Sequence, residues 1–119
     1  GRLMSEAVIF KILTQKQWRD AKSAGIFHGA PVDIADGYIH FSDASQVQAT
    51  ADKHFAGMDG LVLAAVETAG LGAALVYEVS RGNALFPHLY APLDMKSVLW
   101  ARPIPLGPDG RHQLADLSA

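Results

Sequence analysis

The sequence contains no cysteine among its 119 residues. Disulfide bridges, thiolate zinc sites and cysteine nucleophiles are therefore excluded. The absence of cysteine is compatible with a reducing compartment, and we expect the protein to be cytoplasmic.

The chain also lacks a large excess of either positive or negative charge. The chain has 10 Lys and Arg residues and 12 Asp and Glu residues, and its formal net charge is -2. A general nucleic-acid binder concentrates Lys and Arg on one face or helix, and no such run exists, so this class is not expected. No apolar run approaches the roughly 18 residues of a membrane-spanning helix, and no signal peptide is visible. We expect no membrane association.

The familiar signatures of nucleotide-binding loops, serine hydrolases and metalloproteases are absent as well. The histidines have no spacing typical of metal ligands, so we expect no metal site. A site made of Asp36, His40 and His88 is the alternative that topology alone leaves open.

What is present suits a compact domain, since 50% of the residues are hydrophobic and 18% are charged. The length predicts one domain with a core of its own, and we place it at residues 7–112. Residues 1–3, before Met4, are expected to be a cloning remnant. Residues 103–119 contain several prolines and glycines and are expected to form a tail that wraps the surface and frays.

The pattern along the chain predicts an α+β fold, with a mixed or antiparallel sheet and two main helices. Thr14 and Gln17 form a capping-box pattern before the first helix, which should end at Gly25. The predicted strands are 7–13, 38–42, 61–66, 75–80 and 97–102, the helices are 15–24 and 44–56, and the irregular segments are 26–35 and 81–94. A single core is expected to contain Trp18, Val47, Phe55, Val62 and Trp100.

The most informative stretch is DGYIHFSD, residues 36–43. Alternate side chains of a strand share a face, so Tyr38, His40 and Ser42 should project together while Ile39 and Phe41 enter the core. An imidazole, a phenol and a hydroxyl in one row indicate a candidate site. The alternative is an ordinary half-buried strand with an inert histidine.

Two further features carry polar or aromatic groups. Arg81, beside Gly82, can bind a phosphate or carboxylate through its planar guanidinium, or it can be a surface charge. Phe86, His88 and Tyr90 lie in the 81–94 segment, which we interpret as a long ordered loop. These rings can form a stacking surface for a flat ligand or a hydrophobic lid.

The motifs DGYIHFSD and SRGNALFPHLY, together with FKIL near the start, make the chain resemble the bacterial family called domain of unknown function 952. The resemblance covers nearly the whole chain and implies a small single domain with no settled activity. The family-like positions are Lys11, Asp36, Gly37, His40, Ser42, Arg81, Phe86, His88 and Tyr90.

A second resemblance, to the core of ADP-ribosyltransferases, rests on the FKILT strand and on the strand at 38–42 that enters a helix. It implies binding of NAD or an ADP-ribose-like group. Lys11 stands where that superfamily often has a histidine or arginine, and Glu78 is the candidate for its catalytic acid.

The sequence therefore predicts a cleft that binds a small-molecule anion, namely a nucleotide, NAD or an ADP-ribose-like group. The expected catalytic residues are His40 and His88, and the expected ligand-binding residues are Lys11, Tyr38, Ser42, Arg81, Phe86 and Tyr90. The chemistry would be glycosyl, ADP-ribosyl or phosphoryl transfer, although the sequence leaves open whether the protein is an enzyme. The alternative is a non-enzymatic interaction or sensor module that docks a protein partner through the FPHLY loop.

Overall fold

A computed structural model of the chain describes residues 7–114 and 116–117, and at position 81 the backbone alone. The expectation for residues 1–3 lies outside the described residues. The elements follow in the order β1 (Val8–Thr14), α1 (Gln15–Ala24), β2 (Ile26–Phe27), α2 (Pro31–Asp36), β3 (Ile39–His40), α3 (Val47–His54), β4 (Leu61–Glu67), β5 (Leu75–Val79), β6 (Leu85–Leu89), β7 (Leu93–Asp94) and β8 (Val98–Ile104). The α+β class is confirmed, but this part of the chain contains three α-helices rather than two.

The strands form two three-stranded sheets and one short pair. The first sheet has the order β1-β4-β8, the second has the order β3-β6-β5, and β2 pairs with β7. The pairs in the described residues are antiparallel. A bridge joins the two sheets, because Phe10 N donates to Ser42 O at 2.8 Å and Ser42 N donates to Phe10 O at 2.9 Å.

Helix α1 forms as the sequence predicts. Gln17 N donates to Thr14 Oγ1 at 3.1 Å, and Thr14 N donates to Gln17 Oε1 at 2.9 Å. These two bonds complete the capping box. Gly25 follows the helix with φ 78°, the left-handed conformation that glycine adopts without steric cost.

The prediction that residues 26–35 are irregular is wrong, since they contain β2 and most of α2. Pro31 occupies the first turn of α2, where its missing N–H costs nothing. Asp33 contributes to this helix start, because its Oδ2 accepts a hydrogen bond from Ala30 N at 2.8 Å.

The prediction of a loop at residues 81–94 is also wrong, because β6 and β7 lie in it. Pro87 lies within β6 although proline has no N–H to donate to a sheet. In the structure β3 pairs with Leu89 and His88 and ends there. Beyond this point Pro87 O accepts a hydrogen bond from Phe41 N at 3.0 Å. Pro87, which has no N–H to donate, therefore lies just where the pairing with β3 ends.

Helix α3 is shorter than the predicted 44–56 segment. Asp43 caps a turn instead, because Ser45 N donates to Asp43 Oδ1 at 2.9 Å and Asp43 N donates to Gln46 Oε1 at 3.0 Å. The helix itself begins at Val47 and ends at His54. Its inward-facing residues are as predicted, since Val47 is buried and Phe55 packs beside it.

The predicted single core is divided in two by the central strand β4. One cluster includes Ile9 and Leu89, with Trp18 packed against it. The other includes Val47, with Phe55 and Trp100 packed against it. The two clusters are separate because side chains alternate between the two faces of β1 and β4.

The predicted fraying of the tail is wrong for residues 103–114. His112 is 2% exposed, and its Nε2 donates to Met58 O at 2.7 Å. Leu114 and Leu117 pack against the second cluster. Within the described residues, no helix has the length and apolar character that crossing a membrane requires.

Candidate functional site

A cleft of about 330 Å³ lies beside the bridge that joins the two sheets. It is walled by side chains of β1, α2, α3 and β6. The apolar lining includes Phe10, Ile12, Val47, Phe55 and Phe86. The polar lining consists of Lys11, Asp36, His40, Ser42, Thr50, Lys53, His54, Ser80 and His88.

The imidazole of His40 is fixed by a buried carboxylate. Asp33 is 1% exposed, and its Oδ1 lies 2.6 Å from His40 Nδ1. The same oxygen accepts from the backbone N of His40 at 3.1 Å. Because the backbone N and the ring Nδ1 of His40 both donate to Asp33 Oδ1, the imidazole has a defined orientation.

Lys11 completes this buried group. Its Nζ lies 3.1 Å from Asp33 Oδ1 and 3.0 Å from Oδ2, and it donates to the carbonyl of His40 at 2.8 Å. The ammonium is therefore engaged by protein groups, although the side chain lines the cleft. A role for Lys11 in binding a ligand phosphate stays a prediction.

The pKa values of this pair follow from burial and mutual attraction. Burial acts to raise the pKa of Asp33, but the charge of Lys11 and the hydrogen bonds from His40 and Ala30 lower it below its ordinary value. Burial lowers the pKa of Lys11 against the opposing attraction of Asp33. Asp33 is therefore ionised at neutral pH.

The second nitrogen of His40 faces a more exposed carboxylate. Nε2 lies 2.9 Å from Asp36 Oδ2, and the two side chains are 30% and 46% exposed. Asp36 is the last residue of α2 and lines the cleft with His40. This side of the imidazole is therefore the one that a bound molecule can reach.

His88 has a carboxylate of its own. Its Nδ1 lies 2.7 Å from Glu78 Oε1, and Tyr90 Oη donates to the same oxygen at 2.7 Å. These bonds lower the pKa of Glu78, and the carboxylate raises the pKa of Tyr90 to about 12. Glu78 orients His88 and Tyr90, so its carboxylate is not a free acid.

Tyr38 packs against three of these rings. Its centroid lies 4.1 Å from that of His88, 4.6 Å from that of His40 and 5.1 Å from that of Tyr90. The centroids of His40 and His88 are 5.5 Å apart. The predicted proximity of the two histidines is confirmed, whereas their catalytic role stays a prediction.

The structure divides the predicted site residues between two openings. Lys11, His40, Ser42, Phe86 and His88 line the main cleft. The two candidate tyrosines do not line it, because they face a separate cavity of about 230 Å³.

Arg81 is the remaining candidate, and the hydroxyl of Ser42 in the cleft lining has a partner of its own. Ser42 Oγ lies 2.9 Å from Thr50 Oγ1, so its hydroxyl is tied to α3. The side chain of Arg81 lies outside the described residues, and its role as an anion-binding group stays a prediction.

Sequence reasoning missed Asp33 and Lys53. Asp33 was interpreted as part of an irregular segment, although a proline followed two residues later by an acid is a pattern typical of a helix start. Lys53 gave no signal beyond an exposed position on a predicted helix. It lines the cleft and has no ion-pair partner among residues 7–114 and 116–117.

Fold and site together define a small α+β domain with a carboxylate-fixed histidine at the edge of a cleft. The chain belongs to the family described as protein of unknown function (DUF952), whose model matches residues 12–101. The family resemblance that the sequence motifs indicate is therefore confirmed.

Solved structures of one relative agree with this assignment. The crystal structure of protein CC0527 from Caulobacter crescentus is 48% identical, covers 89% of this chain and 93% of its own, and has a TM-score of 0.86. The solution structure of CC0527 is 47% identical, with 91% and 93% covered and a TM-score of 0.82. No curated protein matches the chain. None of these matches is described as an ADP-ribosyltransferase, so that expectation remains a proposal.

Proposed function

We propose that the cleft binds a small anion of the nucleotide class, such as a nucleotide, NAD or an ADP-ribose-like molecule. The observation that carries the proposal is the orientation of His40. Its Nδ1 is held by buried Asp33 at 2.6 Å, so that Nε2 faces the cleft. A ring held by a buried carboxylate is preorganised for a ligand, since binding need not order it.

The walls of the cleft suit both parts of such a ligand. Its volume of about 330 Å³ lies within the range of about 300–1,000 Å³ typical of small-molecule sites. Phe10, Phe55 and Phe86 provide aromatic surface for a base. Lys53 provides a positive charge for phosphate.

The finer form of the proposal is transfer of a glycosyl, ADP-ribosyl or phosphoryl group. The attacking hydroxyl oxygen would then form a bond to the transferred carbon or phosphorus atom, while the bond to the leaving group breaks and that group departs with the electron pair. When the ring carries a proton on Nδ1 alone, Nε2 of His40 would take the hydroxyl proton, and Asp33 would stabilise the resulting imidazolium. His88 is 3% exposed and would support the site through its contact with Tyr38. The resemblance to ADP-ribosyltransferases is the reason to test NAD and ADP-ribose first.

Binding can be tested by thermal shift and calorimetry with AMP, NAD and ADP-ribose. A ligand that binds only the folded protein raises its melting temperature. We expect His40→Ala to abolish the shift, because the variant removes the oriented donor. His28→Ala is the matched control, since His28 is an exposed histidine that lines the second cavity and not the cleft.

Lys53→Ala tests the anion part of the proposal. We expect weaker binding of the phosphate-bearing ligands and no change for adenine, with Lys96→Ala as an exposed-lysine control. The proposal is wrong if none of the three ligands binds the wild-type protein, or if His40→Ala and His28→Ala bind them equally.

The docking alternative has less support from the structure. The FPHLY segment is mostly strand β6, which pairs with β3 on one side and β5 on the other. Phe86, Pro87, His88 and Leu89 are buried, whereas Tyr90 is 47% exposed. A partner chain would therefore contact only the last residue of this segment.

A further inference from the structure

Both nitrogens of the His40 ring face carboxylate oxygens. Nδ1 lies 2.6 Å from Asp33 Oδ1, and Nε2 lies 2.9 Å from Asp36 Oδ2. A neutral imidazole donates through one nitrogen only, whereas the imidazolium donates through both. The form of the ring that carries a proton on both nitrogens therefore satisfies both contacts.

The two carboxylates are held very differently. Asp33 is 1% exposed and also accepts from Lys11 and from the backbone of Ala30. Asp36 is 46% exposed and has no further hydrogen-bond partner in the described part of the chain. It ends α2 and is followed by Gly37, which has φ 88°. Asp36 can therefore leave the imidazole, whereas Asp33 cannot.

Resting on the function proposed above, we propose that the Asp36 carboxylate occupies the position of an anionic ligand oxygen at His40 Nε2. The cleft would then select ligands that present a phosphate or carboxylate group to this nitrogen. Asp36 would act as an internal competitor that weakens their binding.

The strength of the contact makes such competition possible. An ion pair between exposed or half-exposed groups contributes between about 0.2 and 1 kcal/mol. A ligand anion must overcome this contact, and it also meets the negative charge of Asp36 as it approaches. Removing the carboxylate should therefore tighten anion binding by about 1.4- to fivefold.

The experiment is a titration of inorganic phosphate into protein with ¹⁵N-labelled histidine, followed through the His40 Nε2 resonance. Wild type is compared with Asp36→Asn and Asp36→Ala. Asp20→Asn is the matched control, because it removes the same charge from a 65% exposed residue on α1, outside the cleft lining. A parallel titration with acetate shows whether the position takes a phosphate or a carboxylate.

We expect both Asp36 variants to bind phosphate or acetate about 1.4- to fivefold more tightly than wild type and Asp20→Asn. Equal affinity in Asp36→Asn and Asp20→Asn would overturn the inference. An Nε2 resonance that neither anion moves in any variant would overturn it as well. If nucleotides do not bind but the Asp36 variants still bind phosphate more tightly than wild type, the nucleotide class is rejected and this inference stands. Circular dichroism of each variant verifies that the fold is retained.

Discussion

His40 and His88 are direct partners across the β3–β6 pair, with ring centroids 5.5 Å apart, and each places its Nδ1 on a carboxylate. The two distances are nearly equal, 2.6 Å to Asp33 and 2.7 Å to Glu78. The surroundings differ, because Asp33 is 1% exposed and Glu78 is 38% exposed. The first pair therefore joins a buried carboxylate to a half-exposed imidazole, whereas the second joins a buried imidazole to a carboxylate at the surface.

Asp33→Asn should destabilise the protein strongly. The substitution leaves the buried ammonium of Lys11 without its counter-charge, which costs about 3–5 kcal/mol in comparable cases. Urea denaturation measures the change in the free energy of unfolding. The double variant Lys11→Met/Asp33→Asn should recover much of the loss, because it removes the unpaired ammonium and keeps an acceptor oxygen at position 33 for Ala30 and His40. A double variant as unstable as Asp33→Asn would show that the loss does not arise from the unpaired charge.

Stability should fall in acid, and Asp33 should account for much of the fall. The pKa of Asp33 is lowered from 3.8 in the folded protein. Its contribution is therefore fully present well above pH 3.8 and is lost as the pH drops through that value towards the lower folded-state pKa. Urea denaturation between about pH 2.5 and pH 7 measures this slope. Asp33→Asn should flatten it, while Asp20→Asn should leave it unchanged.

Tyr90 should ionise with a pKa of about 12 because its hydroxyl donates to Glu78. Ultraviolet titration of tyrosinate should show one component in this range that Tyr90→Phe removes. Glu78→Gln should move the same component to lower pH, since the acceptor loses its charge. A titration curve that Glu78→Gln leaves unaltered would contradict the contact. Circular dichroism in parallel separates ionisation from alkaline unfolding.

Leu61→Ala should cost about 2–5 kcal/mol, the range for truncating a buried leucine. Leu61 is 1% exposed in the second core cluster. Leu99→Ala is the matched control, because Leu99 lies on β8 of the same sheet but is 51% exposed, and it should cost less than about 0.5 kcal/mol. Similar denaturation midpoints for the two variants would contradict the assignment of Leu61 to the core.

Arg81 remains the predicted anion-binding group at the start of the segment that leads into β6. Arg81→Ala should change the free energy of unfolding by less than about 1 kcal/mol and abolish binding of a phosphate-bearing ligand. Arg81→Lys should restore binding only in part, because an ammonium lacks the planar guanidinium geometry. Calorimetric titration of ADP-ribose into the three proteins measures this. Equal affinities would identify Arg81 as a surface charge.

The parts of the fold set by local chemistry were predictable. Thr14, Gln17 and Gly25 specify the limits of α1 through their own backbone bonds. The apolar run at residues 61–66 predicts a strand buried on both faces, and β4 is the central strand of its sheet.

The parts set by long-range contacts were not predictable. Pro87 lies in a strand because β3 ends opposite it, and the sequence does not show where a partner strand ends. Asp33 belongs to the site because β1 brings Lys11 to it across 22 positions of sequence. The alternation of the sequence indicated that Tyr38 and His40 lie in one row. It did not show that His40 lines the main cleft while Tyr38 lines the second cavity, because this depends on α2, which was not predicted.

The bridge between Phe10 and Ser42 makes the cleft a joint between two sheets. Lys11 ties the same joint from the side, since it lies on β1 and its ammonium donates to the carbonyl of His40 on β3. The joint is also packed, because Ile9 of the first sheet and Leu89 of the second belong to the same core cluster. The aperture of the cleft can therefore change only if this cluster repacks together with the two backbone bonds and the buried cation.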